Sequence, residues 1–238
     1  MTGLAGLPVY LDLARVIGLD KSIQKHLKIR EGMQGWTDSQ MVISLILLNL
    51  AGGDCVEDIK KVEADDGFCE VLKKTETHGL GRKVRRALLR RWRKEKTRTV
   101  PSPSAIFRYL ENFNNEGHKK YREHGKAIIP SPNDHLSGFV GMNKDLAEFA
   151  NSQNPETTAT LDMDATLVAT SKANAFYCYK GYKAYQPLNT WWAEHGIILH
   201  TEFRDGNVPA GFEQLRVFQE ALECLPKEVD SVRLRSSK

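Results

Sequence analysis

The chain has 238 residues, of which 41% are hydrophobic and 27% charged, with a formal net charge of +4; this length can bury one large core or two modest ones. The most apolar window, Met41 to Leu50, is far shorter than the roughly 20 residues of a membrane span, and the N-terminus lacks a signal-peptide pattern. These features exclude a membrane protein, and we expect a cytoplasmic one.

The first 151 residues are expected to form a helical region. Leu4 to Ile17 has apolar residues at helical spacing. Thr37-Asp38-Ser39-Gln40 has the pattern of a capping box, in which Thr37 caps the open amides and Gln40 reaches back. This box predicts a buried helix over Met41 to Leu50. Two further short helices are predicted over Cys55 to Lys61 and Asp65 to Lys74.

Basic side chains are concentrated between Arg82 and Arg98. This segment has ten Lys or Arg residues and one acid, so it carries +9 while the rest of the chain carries −5. Such a distribution favours a phosphate backbone as partner, although a solvated helix face has the same pattern. We predict a basic amphipathic helix over Arg82 to Lys96, with Trp92 packed inward. The side chains expected to bind DNA are Arg82, Lys83, Arg85, Arg86, Arg90, Arg91, Arg93 and Lys94.

A Pro-Ser-Pro-Ser turn over residues 101–104 separates the basic helix from a second amphipathic helix, Ala105 to Phe113. This arrangement is similar to a helix-turn-helix with Arg108 facing outward, and it equally fits a helical pair packed in a core. A short helix over Met142 to Asn151 and a polar linker, Ser152 to Thr158, close the region.

The pattern changes after the linker, where alternation of apolar and polar residues predicts strands. The expected order is β-β-β-α-β, so the fold class is α + α/β, with a helical region over 1–151 and a mixed domain over 158–238. The four strands are predicted over Thr158–Val168, Ala175–Tyr185, Gly196–Phe203 and Val229–Leu234, and the helix over Phe212–Leu225.

Aromatic residues are frequent between Phe176 and Trp192, interleaved with Lys180 and Lys183. Aromatics in a strand usually pack in a sheet core; the alternative is a surface on which DNA bases stack. His200-x-Glu202 lacks the Pro-Cys-x-x-Cys sequence that completes a zinc deaminase site, and we expect no zinc there.

The segment Thr160-Leu-Asp162-Met-Asp164-Ala-Thr166 resembles the first catalytic strand of DDE-type insertion-sequence transposases. Tyr179 to Tyr182 and Arg204 to Val208 are similar to the same family, and the nearest resemblance is to the insertion-sequence 1380 group. The resemblance covers most of the chain and is specific from about Thr160 onward. It implies an RNase H-like fold, DNA as partner through the terminal repeats of an element, and transposition by metal-dependent strand cleavage and transfer.

The resemblance also implies a site in which carboxylates hold two divalent metals, with Mg²⁺ as the natural ion. The family's Asp-x-Thr pattern places the first catalytic aspartate and metal ligand at Asp164, followed by Thr166. Asp162 competes for the metal, because residues two apart on a strand share one face. The simpler alternative is two acids on an exposed strand face.

The chain departs from the family pattern after the fourth predicted strand, where Ser237 stands in place of the second catalytic Asp and the Glu-bearing region does not follow. We therefore expect an incomplete RNase H-like half, inactive by itself, that associates with itself or with full-length transposase near the bacterial nucleoid. The alternatives are a non-catalytic DNA-binding inhibitor of the full-length transposase and a decayed product without a role.

Overall fold

The computed structural model describes residues 2–30, 35–91, 98–114 and 126–236. The chain forms two compact units, Met1–Asn114 and Asn115–Lys238. The first unit is helical among the described residues, and the second contains the sheet. None of the helices within those ranges is both long enough and apolar enough to cross a membrane.

The first unit consists of seven α-helices within the described residues. These are α1 (Leu7–Ile17), α2 (Leu19–His26), α3 (Asp38–Leu50), α4 (Ile59–Glu63), α5 (Asp66–Thr77), α6 (Arg82–Arg91) and α7 (Pro103–Leu110), with 3₁₀ turns at Val56–Asp58 and Glu111–Phe113. Helix α2 was not predicted. Gly18 has a φ of 76°, which lets the chain turn directly from α1 into α2. The helical pattern of α2 is weak in the sequence, because its buried apolar residues Leu19 and Ile23 lie among polar ones.

The capping box before α3 is confirmed. Gln40 N donates to Thr37 Oγ1 at 3.2 Å, and Thr37 N donates to Gln40 Oε1 at 3.1 Å. The next residue, Asp38, accepts hydrogen bonds from Ile29 N and Arg30 N, both at 3.2 Å. The start of α3 is therefore fixed both to its own first turn and to the chain after α2. The largest fully buried apolar side chains of this unit include Ile23, Met41, Leu47, Ile59, Phe68 and Ile106.

The second unit combines two helices and six strands among the described residues. These are α8 (Asp134–Gln153), β1 (Thr158–Ala165), β2 (Val168–Ala169), β3 (Ala184–Tyr185), β4 (Leu188–Trp192), β5 (Ile197–Glu202), α9 (Gln214–Leu222) and β6 (Ser231–Ser236). The main sheet has the order β5-β4-β1-β6, and β2 pairs with β3 in a small separate ladder. Strand β1 runs antiparallel to β4 and parallel to β6.

The predicted strand over Ala175 to Tyr185 is wrong. The second strand of the main sheet is β4, and only Ala184 and Tyr185 of the predicted segment lie in a strand. The aromatic content of the segment favoured a strand by propensity. The stronger signal was the alternation within β4, where Leu188, Thr190 and Trp192 are buried.

Helix α8 is twice as long as predicted and belongs to the second unit, whereas the sequence grouped it with the N-terminal region. It packs against β5. Ala147 of α8 and Ala221 of α9 lie in one buried cluster with side chains from three strands, namely Ala159, Leu161, Trp192 and Leu199. Both helices thus contribute to the core on one face of the main sheet.

Candidate active site

Asp162 and Asp164 lie on the face of β1 opposite the core. Along this strand Ala159, Leu161 and Met163 are buried, whereas the alternate positions are more exposed. The predicted shared face of the two aspartates is therefore confirmed. Strand β1 is central, with a neighbour on each side, so its end is a rigid platform for functional groups.

Asp162 forms a two-point ion pair with Arg235 of β6. The Arg235 Nε to Asp162 Oδ1 distance is 2.6 Å, and the Nη2 to Oδ2 distance is 2.7 Å. The carboxylate raises the pKa of the Arg235 guanidinium. Because both groups are partly exposed, the pair contributes little to stability, but it engages both oxygens of Asp162.

Asp164 lies one residue before the end of β1 and is exposed. Thr166 Oγ1 donates a hydrogen bond to Asp164 Oδ2 at 3.3 Å, so the two residues of the Asp-x-Thr pattern are in direct contact. Across the sheet, Asp164 is paired with Asn189 of β4, whose Oδ1 accepts from Thr201 Oγ1 at 2.6 Å. The neighbourhood of Asp164 is therefore polar and rich in oxygen atoms.

The described residues do not fit a complete two-metal site. Nowhere in the described part of the chain do three or more His, Cys, Asp or Glu side chains converge. Two metals need several carboxylates, one of them bridging. Ser237 and Lys238, where a departure from the resembled pattern is predicted, lie outside the described residues. Mg²⁺ therefore remains an expectation from the resemblance.

Four of the predicted DNA-binding side chains are exposed on α6, namely Arg82, Lys83, Arg85 and Arg86. Arg90 and Arg91 also belong to α6, while Arg93 and Lys94, like Trp92, lie outside the described residues. Helix α7 buries Ile106 and Tyr109 and exposes Arg108. The outward arginine is confirmed, but the predicted core side is only partly so, because Leu110 is exposed.

His200 and Glu202, whose spacing is similar to part of a zinc-site pattern, belong to an ion-pair network between β5 and α9. Glu202 pairs with Arg204 and with Arg216. Buried His200 lies 3.3 Å from Glu220, and burial lowers the pKa of its imidazole despite the neighbouring carboxylates. The Glu202–Arg216 and His200–Glu220 pairs link α9 to β5 and have no local sequence signal.

The turn after β5, Arg204 to Val208, lies against the base of the segment between β2 and β3. Gln186 N donates to Arg204 O at 2.9 Å, and Asp205 forms an isolated bridge with Tyr185. A Cβ atom on Gly206 would lie 2.4 Å from Ala184 O, so only glycine fits. The family-like Arg-Asp-Gly-Asn sequence is thus a packing element in this protein.

Comparison with known proteins supports the DDE resemblance. A family model described as transposase DDE domain group 1 matches residues 1–235. Neither the curated proteins nor the solved structures give a match. Because the match spans nearly the whole chain, this protein belongs to the transposase DDE domain group 1 family.

Proposed function

We propose that this protein acts in DNA transposition as a DDE transposase of the insertion-sequence 1380 type, by metal-dependent strand cleavage and transfer. The observation that carries the proposal is a pair of aspartates at the end of central strand β1, on the face opposite the core, in a member of the DDE family. The order β5-β4-β1-β6, with β1 antiparallel to β4 and parallel to β6, supports an RNase H-like assignment.

Within this proposal Asp164 is the first metal ligand, whereas Asp162 pairs with Arg235 and does not bind the metal. Arg235 neutralises Asp162 and occupies both of its oxygens. Asp164 instead lies in polar, oxygen-rich surroundings, beside Thr166. Mg²⁺ prefers oxygen ligands and retains several waters, so an exposed carboxylate at a strand end suits it.

The 238-residue polypeptide is proposed to be inactive alone, since one candidate carboxylate cannot hold two metals. Cleavage would then require added polypeptide that supplies further acids. The test measures nicking of DNA that carries an element end. Two proteins are compared, this chain alone and the chain joined to the polypeptide encoded directly downstream. Each is assayed with Mg²⁺ and with EDTA. Mg²⁺-dependent product is expected from the joined protein only. Cleavage by the 238-residue chain itself would refute the inactivity.

DNA binding is proposed for the exposed basic side chains of α6. Changing Arg82 and Arg85 to Gln is expected to reduce the slope of log Kd against log salt by about 1.8, since each lost phosphate contact removes about 0.9. Fluorescence anisotropy with duplex DNA at several salt concentrations measures this slope.

The matched control for that change is a double substitution elsewhere in the first unit, Lys21→Gln with Lys60→Gln. Both lysines are exposed, so the control removes the same net charge. It should lower affinity slightly through long-range electrostatics and leave the slope nearly unchanged. Equal slopes for the two double variants would remove α6 from the DNA interface.

A second function is favoured because the basic helix and the aspartates belong to different compact units. Helix α6 is in the first compact unit, and Asp162 and Asp164 are in the second, so DNA binding does not require a complete metal site. The protein would then occupy element ends and inhibit the full-length transposase. Adding it to a cleavage reaction of the full-length enzyme tests this role: inhibition that is lost in the Arg82, Arg85 variant supports it.

Self-association is proposed through exposed apolar side chains. Val9, Leu13 and Val16 form a helical stripe on α1 and are 68%, 48% and 70% exposed. In the second unit, Leu234 of β6 is 48% exposed, although its register partner Leu161 is fully buried. Sedimentation velocity at increasing concentration tests this proposal, and a concentration-independent monomer would refute it.

A further inference from the structure

The segment between β2 and β3 forms a short hairpin with a well-defined tip, residues 176–184. Ala184 N donates to Phe176 O at 3.1 Å, Cys178 N to Tyr182 O at 2.8 Å, and Gly181 N to Cys178 O at 2.9 Å. Gly181 has a φ of 82°, which the tight turn requires. These bonds fix the backbone of the tip.

Three tyrosines of this hairpin face solvent. Tyr177, Tyr179 and Tyr182 are 59%, 78% and 39% exposed. Cys178 and Ala184 are buried and anchor the hairpin to the rest of the second unit. The sequence-based preference for a sheet core is therefore wrong for these three residues. Three exposed aromatic rings on one tight turn form a candidate binding surface.

The same surface is positively charged. From Ala165 to Ala193 the sequence contains three lysines and no Asp or Glu. Lys180 Nζ lies 5.7 Å from the centre of the Tyr179 ring, and Lys183 Nζ lies 5.9 Å from that of Tyr177. Aromatic rings interleaved with cations are the combination that binds single-stranded nucleic acid, since the rings stack on bases and the cations pair with phosphates.

The hairpin leaves and rejoins the main sheet beside Asp164. The chain departs after Ala165 and returns at Leu188, and these two residues are paired in the sheet, next to the Asp164–Asn189 pair. An open cleft of about 470 Å³ borders the hairpin, lined by Ala169, Thr170, Ser171, Tyr182 and Lys183. The cleft is shallow and largely open to solvent, and its lining offers hydroxyl groups and one cation.

We infer that the tyrosine hairpin, defined by Tyr177, Tyr179, Tyr182, Lys180 and Lys183, binds the unpaired bases of a single DNA strand and holds that strand at the Asp164 end of the sheet. The lysines and the lack of Asp and Glu within the hairpin segment itself favour a polyanion over a protein partner. The binding itself is independent of catalysis, whereas its role beside Asp164 rests on the proposed function.

The test is binding of a fluorescent 20-nucleotide oligothymidylate and of a duplex of equal length to the full chain. Tyr179→Ala is expected to weaken oligothymidylate binding about tenfold, as loss of one base stack does, with a smaller effect on the duplex. Tyr179→Phe keeps the ring and should bind within about twofold of the unmodified chain, since stacking requires the ring alone. Tyr10→Ala, which removes an exposed tyrosine of the first unit, is the control and should not alter binding.

Because Tyr179 is mostly exposed, its substitution should leave the thermal unfolding curve unchanged. The inference is overturned if Tyr179→Ala binds oligothymidylate as tightly as the unmodified chain, or if the chain does not bind the oligonucleotide. It is also overturned if Tyr179→Ala alters only sedimentation, which would make the hairpin a contact between copies. Each of these results leaves the Mg²⁺-dependent cleavage assay unaffected, so failure of this inference is distinct from failure of the proposed function.

Discussion

Replacing Arg204 by alanine is expected to lower the free energy of unfolding of the second unit by about 2–4 kcal/mol, because a fully buried side chain and one of the two cationic partners of Glu202 are lost. Arg204 has no exposed surface, and its Nε donates to Glu202 Oε1 at 2.8 Å. Its Nη1 lies 3.5 Å and 3.4 Å from the carbonyl oxygens of Pro209 and Ala210. The substitution therefore leaves a cavity, removes a partner of a largely buried carboxylate and releases the turn after β5.

Urea denaturation followed by tryptophan fluorescence measures this loss, since Trp191 and Trp192 lie in the same unit. Arg233→Ala is the matched control, because Arg233 is exposed on edge strand β6; its effect should stay within about 0.5 kcal/mol. Arg204→Met, which keeps most of the volume, should lose less than Arg204→Ala. A loss below about 1 kcal/mol for Arg204→Ala would contradict a structural role for the buried pair.

Replacing Gly206 by alanine is expected to destabilise the second unit by about 1–3 kcal/mol, the usual cost of overpacking. The added Cβ would lie 2.4 Å from Ala184 O and 3.2 Å from Phe176 O. Both obstructing atoms belong to backbone at the base of the tyrosine hairpin, so a change of rotamer cannot relieve the clash. The hairpin or the turn after β5 has to move.

The matched control is Gly211→Ala, five residues further on, where an added Cβ would meet nothing within 4 Å. This substitution should be neutral or stabilising by a few tenths of a kcal/mol, because it restricts the unfolded chain. Thermal unfolding of the two variants side by side measures the difference. Equal stability would mean that the close approach at Gly206 is not a constraint on the fold.

Features with a local sequence signal were largely predictable. The capping box at Thr37 and Gln40 is formed as expected, and β1 begins at Thr158 as predicted. The early start of α8 also has a local signal that was missed: Asn133 caps the helix by accepting from Leu136 N at 2.9 Å. The start of this helix could therefore have been predicted from the sequence.

Features that depend on distant partners were not predictable. Arg235 and Asp162 are 73 positions apart, so their ion pair follows from the pairing of β6 with β1 rather than from local pattern. The outward position of Tyr177 and Tyr179 likewise depends on where the hairpin is seated, whereas aromatic composition alone favours a core. The candidate site was thus predictable as a pair of aspartates, but their different surroundings required the structure.

Asp164 is the proposed metal ligand, and the most direct test of this role compares Asp164→Asn with Asp162→Asn. Both variants, joined to the polypeptide encoded downstream, are assayed for Mg²⁺-dependent nicking of DNA carrying an element end. We predict that Asp164→Asn gives no product above the metal-free background, whereas Asp162→Asn, which loses only the ion pair with Arg235, retains nicking. Undiminished nicking by Asp164→Asn would contradict its role as a metal ligand.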